Sequence, residues 1–208
     1  AGADISSLSV HKTGGSLTQS SVILVKKDRV NFSRIQRVFA MFSSTSPNHL
    51  LLASLDVARK KLVFEGKELL DKELELAKYA REKINNIRGY SCIDKSYCDR
   101  PGRFDFDLTK VVINVSEVGL SGFDVYKTIR KESNIQLELG EVSEVLAIIS
   151  LGTTKEHVDK LIAALKRISD EYYDSTDVHK VPHFKYEYPE LVVRPREAFH
   201  APSKIVAL

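Results

Sequence analysis

Apolar and polar positions alternate along this chain with two different periods, and the changes of period mark out its elements. Ser21 to Lys26 is rich in Val and Ile and reads as a buried strand. Asn31 is placed to cap a helix running through Phe42, and Ser46-Pro47 opens another in which Leu50, Ala53 or Ser54, Val57 and Ala58 share a face. Leu70, Leu74, Ala77, Ala80, Ile84 and Ile87 recur at spacings of three and four, which predicts a long amphipathic helix ended by Gly89. Tyr90 to Phe106 holds turn formers and both cysteines, after which Val111 to Val115 gives a short apolar strand. Ser121 to Asp124 has the form of an N-cap for a helix carrying Val125 and Ile129, and strands follow around Ile135 to Leu139 and Val145 to Ser150. Thr153 to Glu156 has capping-box form, and the helix behind it aligns Val158, Leu161, Ile162, Leu165 and Ile168. From Val111 onward the order is therefore strand, helix, strand, strand, helix, which makes an α/β layer. Beyond Asp174 the Pro, His and Tyr content predicts an irregular extension, with Leu191 to Val193 offering a short strand.

Composition narrows the class. With 43% hydrophobic and 28% charged residues among 208, the chain can bury a core of one or two domains. A net charge of +3, with Lys and Arg interleaved among Asp and Glu, gives no field that would favour nucleic acid. No apolar run approaches the roughly 20 residues of a membrane helix, and no basic start followed by an apolar stretch suggests a secretion signal.

Candidate chemistry concentrates near the start. Lys12 stands in Ser9-Val10-His11-Lys12-Thr13, beside small hydroxyls and ahead of Gly14-Gly15, which permit close backbone approach. An amine there can form an imine, although for any one of 31 basic residues a solvated surface position is the ordinary expectation. Cys92 and Cys98 are compatible with a disulfide, with two metal ligands or with free thiols, and two cysteines in a chain of this size favour free thiols. His179 and His183 flank Pro182, which disfavours the helix that would put both imidazoles on one face, so no metal site is expected. Ser44 and Thr45 precede a proline-started helix whose free N–H groups suit a phosphate, yet simple capping explains such hydroxyls equally well. Glu138 and Glu141 are either partners for a basic substrate or strand-edge surface charges, and Arg194 and Arg196 have no assigned role.

In Ser-x-His-Lys-Thr followed by Leu-Thr-Gln-Ser-Ser, the chain resembles the Orn/Lys/Arg decarboxylases. Further blocks recur in that family's order. Ser43-Ser44-Thr45-Ser46-Pro47 is similar to its Gln-Thr-Thr-Ser-Pro segment and is followed by Leu-Leu-Leu-Ala-Ser-Leu-Asp. Gly119-Leu120-Ser121-Gly122-Phe123, Arg130-Lys131-Glu132 and Ile135 to Leu139 are similar to its Gly-Leu-Ser-Gly-Tyr, Leu-Arg-Glu and Val-Glu-Leu series. Pro195 to Phe199 matches its Pro-Arg-Glu-Ala-Phe. These enzymes have the aspartate-aminotransferase fold, and their lysine carries pyridoxal 5'-phosphate as a Schiff base.

The resemblance implies an α/β fold divided into the end of a large pyridoxal-phosphate-binding domain over 1–62, a linking helix and loop over 63–104, a small α/β domain over 105–175 and the start of a C-terminal extension from 176. It implies that Lys12 is catalytic and that Ser9, His11, Lys12, Ser44 and Thr45 contact the cofactor, the last two reaching the phosphate of a neighbouring subunit in a homodimer or larger assembly. It also implies a cytoplasmic lyase of polyamine biosynthesis acting on arginine, lysine or ornithine, with the present residues forming part of a longer protein and inactive alone. An aminotransferase or other lyase of the same fold, and a noncatalytic assembly module, are the competing readings.

Overall fold

The computed structural model describes residues 2–173 and 187–206. At the start, β1 (Ile5–Leu8) and β2 (Val22–Val25) pair antiparallel with Ile5 opposite Val25 and Leu8 opposite Val22, and α1 (Val10–Thr13) is a single turn between them. The sequence pattern gives β2 but not β1, whose Ile-Ser-Ser-Leu is four residues long and does not alternate. Asn31 caps α2 (Phe32–Phe42) as expected, its side chain accepting the Arg34 N–H at 3.0 Å.

The two helices expected on either side of residue 65 are one. α3 runs unbroken from His49–Asn85, 37 residues, and the expected domain boundary at 62/63 falls inside it. Gly66 costs propensity in mid-helix but leaves the hydrogen-bond ladder intact, so it does not end the rod. The apolar stripe seemed to break because the helix changes partner. Leu52, Leu55 and Leu62 line an open groove with Leu8, Val10, Val22 and Leu24 of the hairpin, whereas Ala77, Ala80 and Ile84 belong to the buried core. Its N-cap also differs from expectation: Asn48 Oδ1 accepts from Leu50 N at 3.0 Å and Leu51 N at 3.3 Å, and so takes the role given to Ser46. An amide oxygen one residue before the helix reaches its first free N–H groups directly.

The buried core lies in a two-layer unit. Its sheet has the order β3 (Ser91–Cys92), β4 (Lys110–Asn114), β6 (Glu144–Ile148), β5 (Leu139–Gly140), every pairing antiparallel, with Ile113 opposite Val145. Val111, Ile113, Val145 and Ala147 alternate inward, and α3, α4 (Gly122–Ser133) and α5 (Lys155–Tyr172) cover that face with Ala77, Ile84, Val125, Ile129, Val158, Leu161, Leu165 and Ile168. The predicted strand, helix, strand, strand, helix order is present. The strand expected over Ile135 to Leu139 shrinks to Leu139–Gly140, because Asn134 ends α4 with φ +50° and the chain joins the sheet only at Glu138, whose N–H donates to Leu146 O. Thr154 caps α5, and its box is closed by His157, not a carboxylate: Thr154 N donates to His157 Nδ1 at 3.3 Å.

Leu191 to Val193 forms no strand; Val192 is 91% exposed, and no strand among the described residues pairs with it. α6 (Pro195–His200) follows it, with Pro195 in the first turn and Arg194 N donating to Glu197 Oε2.

One buried cation joins α3 to the sheet. Arg81 donates from Nε to Ile93 O at 3.1 Å, from Nη1 to Ala77 O at 3.3 Å and from Nη2 to Lys110 O at 2.8 Å. Removing the guanidinium leaves those carbonyls short of partners in a buried setting. Arg81→Leu is therefore expected to lower stability by about 2–3 kcal/mol, read as a shifted urea midpoint with unchanged slope.

Candidate active site

Lys12 lies on α1, where the hairpin turns. Lys12 N donates to Ser9 O at 3.1 Å and Gly14 N to Val10 O at 2.8 Å, which closes a single helical turn and sets Ser9, His11 and Lys12 within one loop. Gly14 is needed there, since a Cβ would fall 2.7 Å from Val10 Cγ1, and Gly15 takes φ +87° close to Leu151 on the far side of the chain. The sequence places glycines here; the structure supplies their reason.

Beyond the turn, residues 16–20 fold back as a latch. His11 contacts Ser20 O twice, through its backbone N at 3.3 Å and through Nδ1 at 2.8 Å. Ser20, 3% exposed, donates from Oγ to Leu17 O at 2.6 Å and pairs with Ser16 Oγ at 2.6 Å. Leu17 N in turn donates to Ser54 Oγ on α3 at 3.1 Å. Gln19 holds φ +72°, a left-handed conformation uncommon outside glycine, and this reverses the chain so that Ser20 faces His11. Ser20, Gln19 and Ser54 were not among the expected site residues. The run Leu-Thr-Gln-Ser-Ser marks a turn, but which carbonyl meets the imidazole depends on the fold.

What remains uncommitted defines the chemistry. Among the described residues, Lys12 Nζ and Ser9 Oγ have no hydrogen-bond or ion-pair partner, and His11 uses only one ring nitrogen. A primary amine, an imidazole nitrogen and a hydroxyl within four residues fit an aldehyde that also carries a phosphate, since the amine can bond the carbonyl carbon while the other two face phosphate oxygens. Lys12 is exposed, so the described residues do not by themselves supply the burial that favours a neutral amine.

Ser44 and Thr45 stand apart. They are exposed on the connection between α2 and α3, Ser44 Oγ accepts from Ser46 N at 3.0 Å, and no hydrogen bond joins either to the lysine turn among the described residues. Glu138 and Glu141 are both exposed and use their backbone N–H groups at the sheet edge, as surface charges do. Cys92 and Cys98 are free thiols, and burial pushes the Cys92 thiol up to about 11, so it stays protonated at neutral pH despite nearby Arg81. His179 and His183 lie outside the described residues. Among the described residues no three metal-ligating side chains cluster, and no helix is long and apolar enough to cross a membrane.

The fold is that of decarboxylases and aminotransferases. A lysine decarboxylase from Francisella novicida superposes with a TM-score of 0.68 at 24% identity over 81% of this chain and 28% of that one. An alanine–glyoxylate aminotransferase from Nostoc gives 0.55 at 19% identity over 80% of this chain and 48% of that one. More particularly, residues 3–157 match the Orn/Lys/Arg decarboxylase major domain, and the chain belongs to that family. Arginine decarboxylases of Bacillus subtilis and Halalkalibacterium halodurans are each 38% identical to it, over 100% and 99% of its length. The chain spans less than half of those two relatives, 43% and 42%.

Proposed function

We propose that the protein carrying this chain decarboxylates a basic amino acid, arginine, lysine or ornithine, to the corresponding amine with pyridoxal 5'-phosphate. The observation that carries the reading is the lysine turn, in which Ser9, His11 and Lys12 offer uncommitted groups at the position the family motif gives to its cofactor lysine. The 38% identity to arginine decarboxylases favours arginine. When bound, the cofactor supplies a ring that accepts the electron pair left by departing carbon dioxide.

Each residue then has a defined task. Lys12 holds the cofactor covalently, and for that its amine must lose a proton that an ordinary lysine, with pKa about 10.4, keeps at neutral pH. Lys12 also delivers a proton to the substrate carbon once carbon dioxide has left. Ser9 Oγ and His11 donate to the phosphate.

We assign Ser44 and Thr45 to the phosphate bound by a second copy of the protein, because they lie on an exposed connection and share no hydrogen bond with the lysine turn among the described residues. α2, just before them, has Phe39, Met41 and Phe42 at 56%, 78% and 86% exposure, a surface that association would cover. A homodimer with shared sites, working in the cytoplasm, follows from this reading. Ser44→Ala combined with Thr45→Ala should weaken cofactor binding about tenfold, the effect of losing one charge-assisted bond. Titration of the apoprotein followed by absorbance measures it, and unchanged affinity would leave these hydroxyls only a turn-forming role.

The reaction itself is tested by supplying the full-length protein and cofactor with arginine, lysine and ornithine separately. Carbon dioxide with an amine product supports decarboxylation. A keto acid would favour the aminotransferase chemistry of the Nostoc neighbour's fold, and no turnover of any of the three would reject the assignment.

A further inference from the structure

We infer that Ser20 and Ser54 are positioning residues of the site, which hold His11 in a single tautomer and tie the lysine turn to α3. The inference rests on the reading above that His11 faces the cofactor phosphate, but its central element is independent of it. A carbonyl oxygen only accepts, so the 2.8 Å contact with Ser20 O requires the proton on His11 Nδ1. The backbone N–H of His11 approaches the same oxygen, so ring and main chain are held by one acceptor.

Nε2 is then the nitrogen left for a ligand. In the neutral ring it is a bare acceptor, which suits no phosphate oxygen. A phosphate oxygen therefore calls for a proton on Nε2 as well, with Nδ1–H still directed at the Ser20 carbonyl. The ring contributes a charge-assisted donor at a fixed angle instead of one that must choose between two orientations.

The carbonyl is held by the latch. Ser20 is buried, its hydroxyl closes onto Leu17 O and Ser16 Oγ, and Gln19 keeps an uncommon left-handed backbone that only local over-determination maintains. The latch is anchored from outside by Leu17 N donating to Ser54 Oγ, which itself donates to Leu51 O. Ser54 lies on the hairpin-facing half of the helix whose other half enters the core of the α/β layer. The imidazole is therefore referenced to the long helix that enters the buried core and not to a loose loop.

The experiment uses the full-length protein with nitrogen-labelled histidine, whose NMR signals report the tautomer with and without pyridoxal phosphate. His11 of the cofactor-free protein is expected to carry its proton on Nδ1; a proton on Nε2 overturns the proposal. Ser20→Ala and, separately, Ser54→Ala should convert His11 to a mixture of tautomers and weaken cofactor binding about five- to tenfold, the range expected for one or two loosened hydrogen bonds. Ser54→Thr, which restores the hydroxyl, should return both. If Ser20→Ala does not fold, the half-buried Ser54 gives the decisive variant. Unchanged tautomer and affinity in Ser54→Ala refute the relay. The intended tautomer behaviour with no labelling of Lys12 by the cofactor would instead reject the proposed function and leave the relay standing.

Discussion

Lys12→Ala in the full-length protein is expected to cut carbon dioxide release by more than about 1,000-fold, since on the proposed function it removes the covalent attachment point and a proton carrier together. The fold should survive, because the side chain is exposed and makes no hydrogen bond among the described residues. Loss of activity with unchanged unfolding behaviour thus separates chemistry from stability. The direct measurement is borohydride reduction after cofactor addition, followed by peptide mapping. Selective mass gain on Lys12, absent from the alanine variant, supports the assignment; turnover retained in Lys12→Ala would reject it, whatever the labelling pattern.

Gly122→Ala is expected to act in the opposite way, on stability before chemistry. A Cβ at Gly122 would lie 2.2 Å from Glu144 O and 2.4 Å from Glu141 O, and both obstacles are backbone atoms of the β5–β6 turn. Gly140 meets the same junction from the other side, its own Cβ position being 2.6 Å from Gly122 O. The start of α4 is thus pressed against the sheet with no room for a methyl group, and the Gly-Leu-Ser-Gly run records that contact. Overpacking against backbone that cannot rotate away should cost about 3 kcal/mol or more. Thermal unfolding measures it, with Gly152→Ala as the control, since nothing lies within 4 Å of a Cβ there. A Gly122→Ala variant as stable as the parent would mean that α4 can withdraw from the sheet.

Capping and periodicity were the features most legible from sequence. Asn31, Ser121 and Thr154 each cap the helix expected of them, because an N-cap is a local interaction between a side chain and N–H groups two or three residues away. Inward positions of β4 and β6 and the apolar face of α5 follow from single-element periods in the same way. Expectations failed where two elements had to be compared. The stripe of α3 seems to end and restart because its two halves face different partners, and a period alone does not reveal that a helix has changed neighbours. Asn48 displaced Ser46 as cap because both side chains carry an oxygen able to accept from a backbone N–H and only the helix start decides between them.

The site divides along the same line. By itself the sequence determined the expectation, through its motifs and their resemblance to a family, that Ser9, His11 and Lys12 in one segment and Ser44 and Thr45 in another are the candidate site residues. Tertiary structure alone decided that His11 meets Ser20 O, that Leu17 is anchored to Ser54 some 37 residues away in the chain, and that among the described residues Ser44 and Thr45 share no hydrogen bond with the lysine turn. Residue types name the donors and acceptors available. Which donor meets which acceptor is a matter of distance and angle across the fold, and those are set only once α3 has packed against the hairpin and the α/β layer.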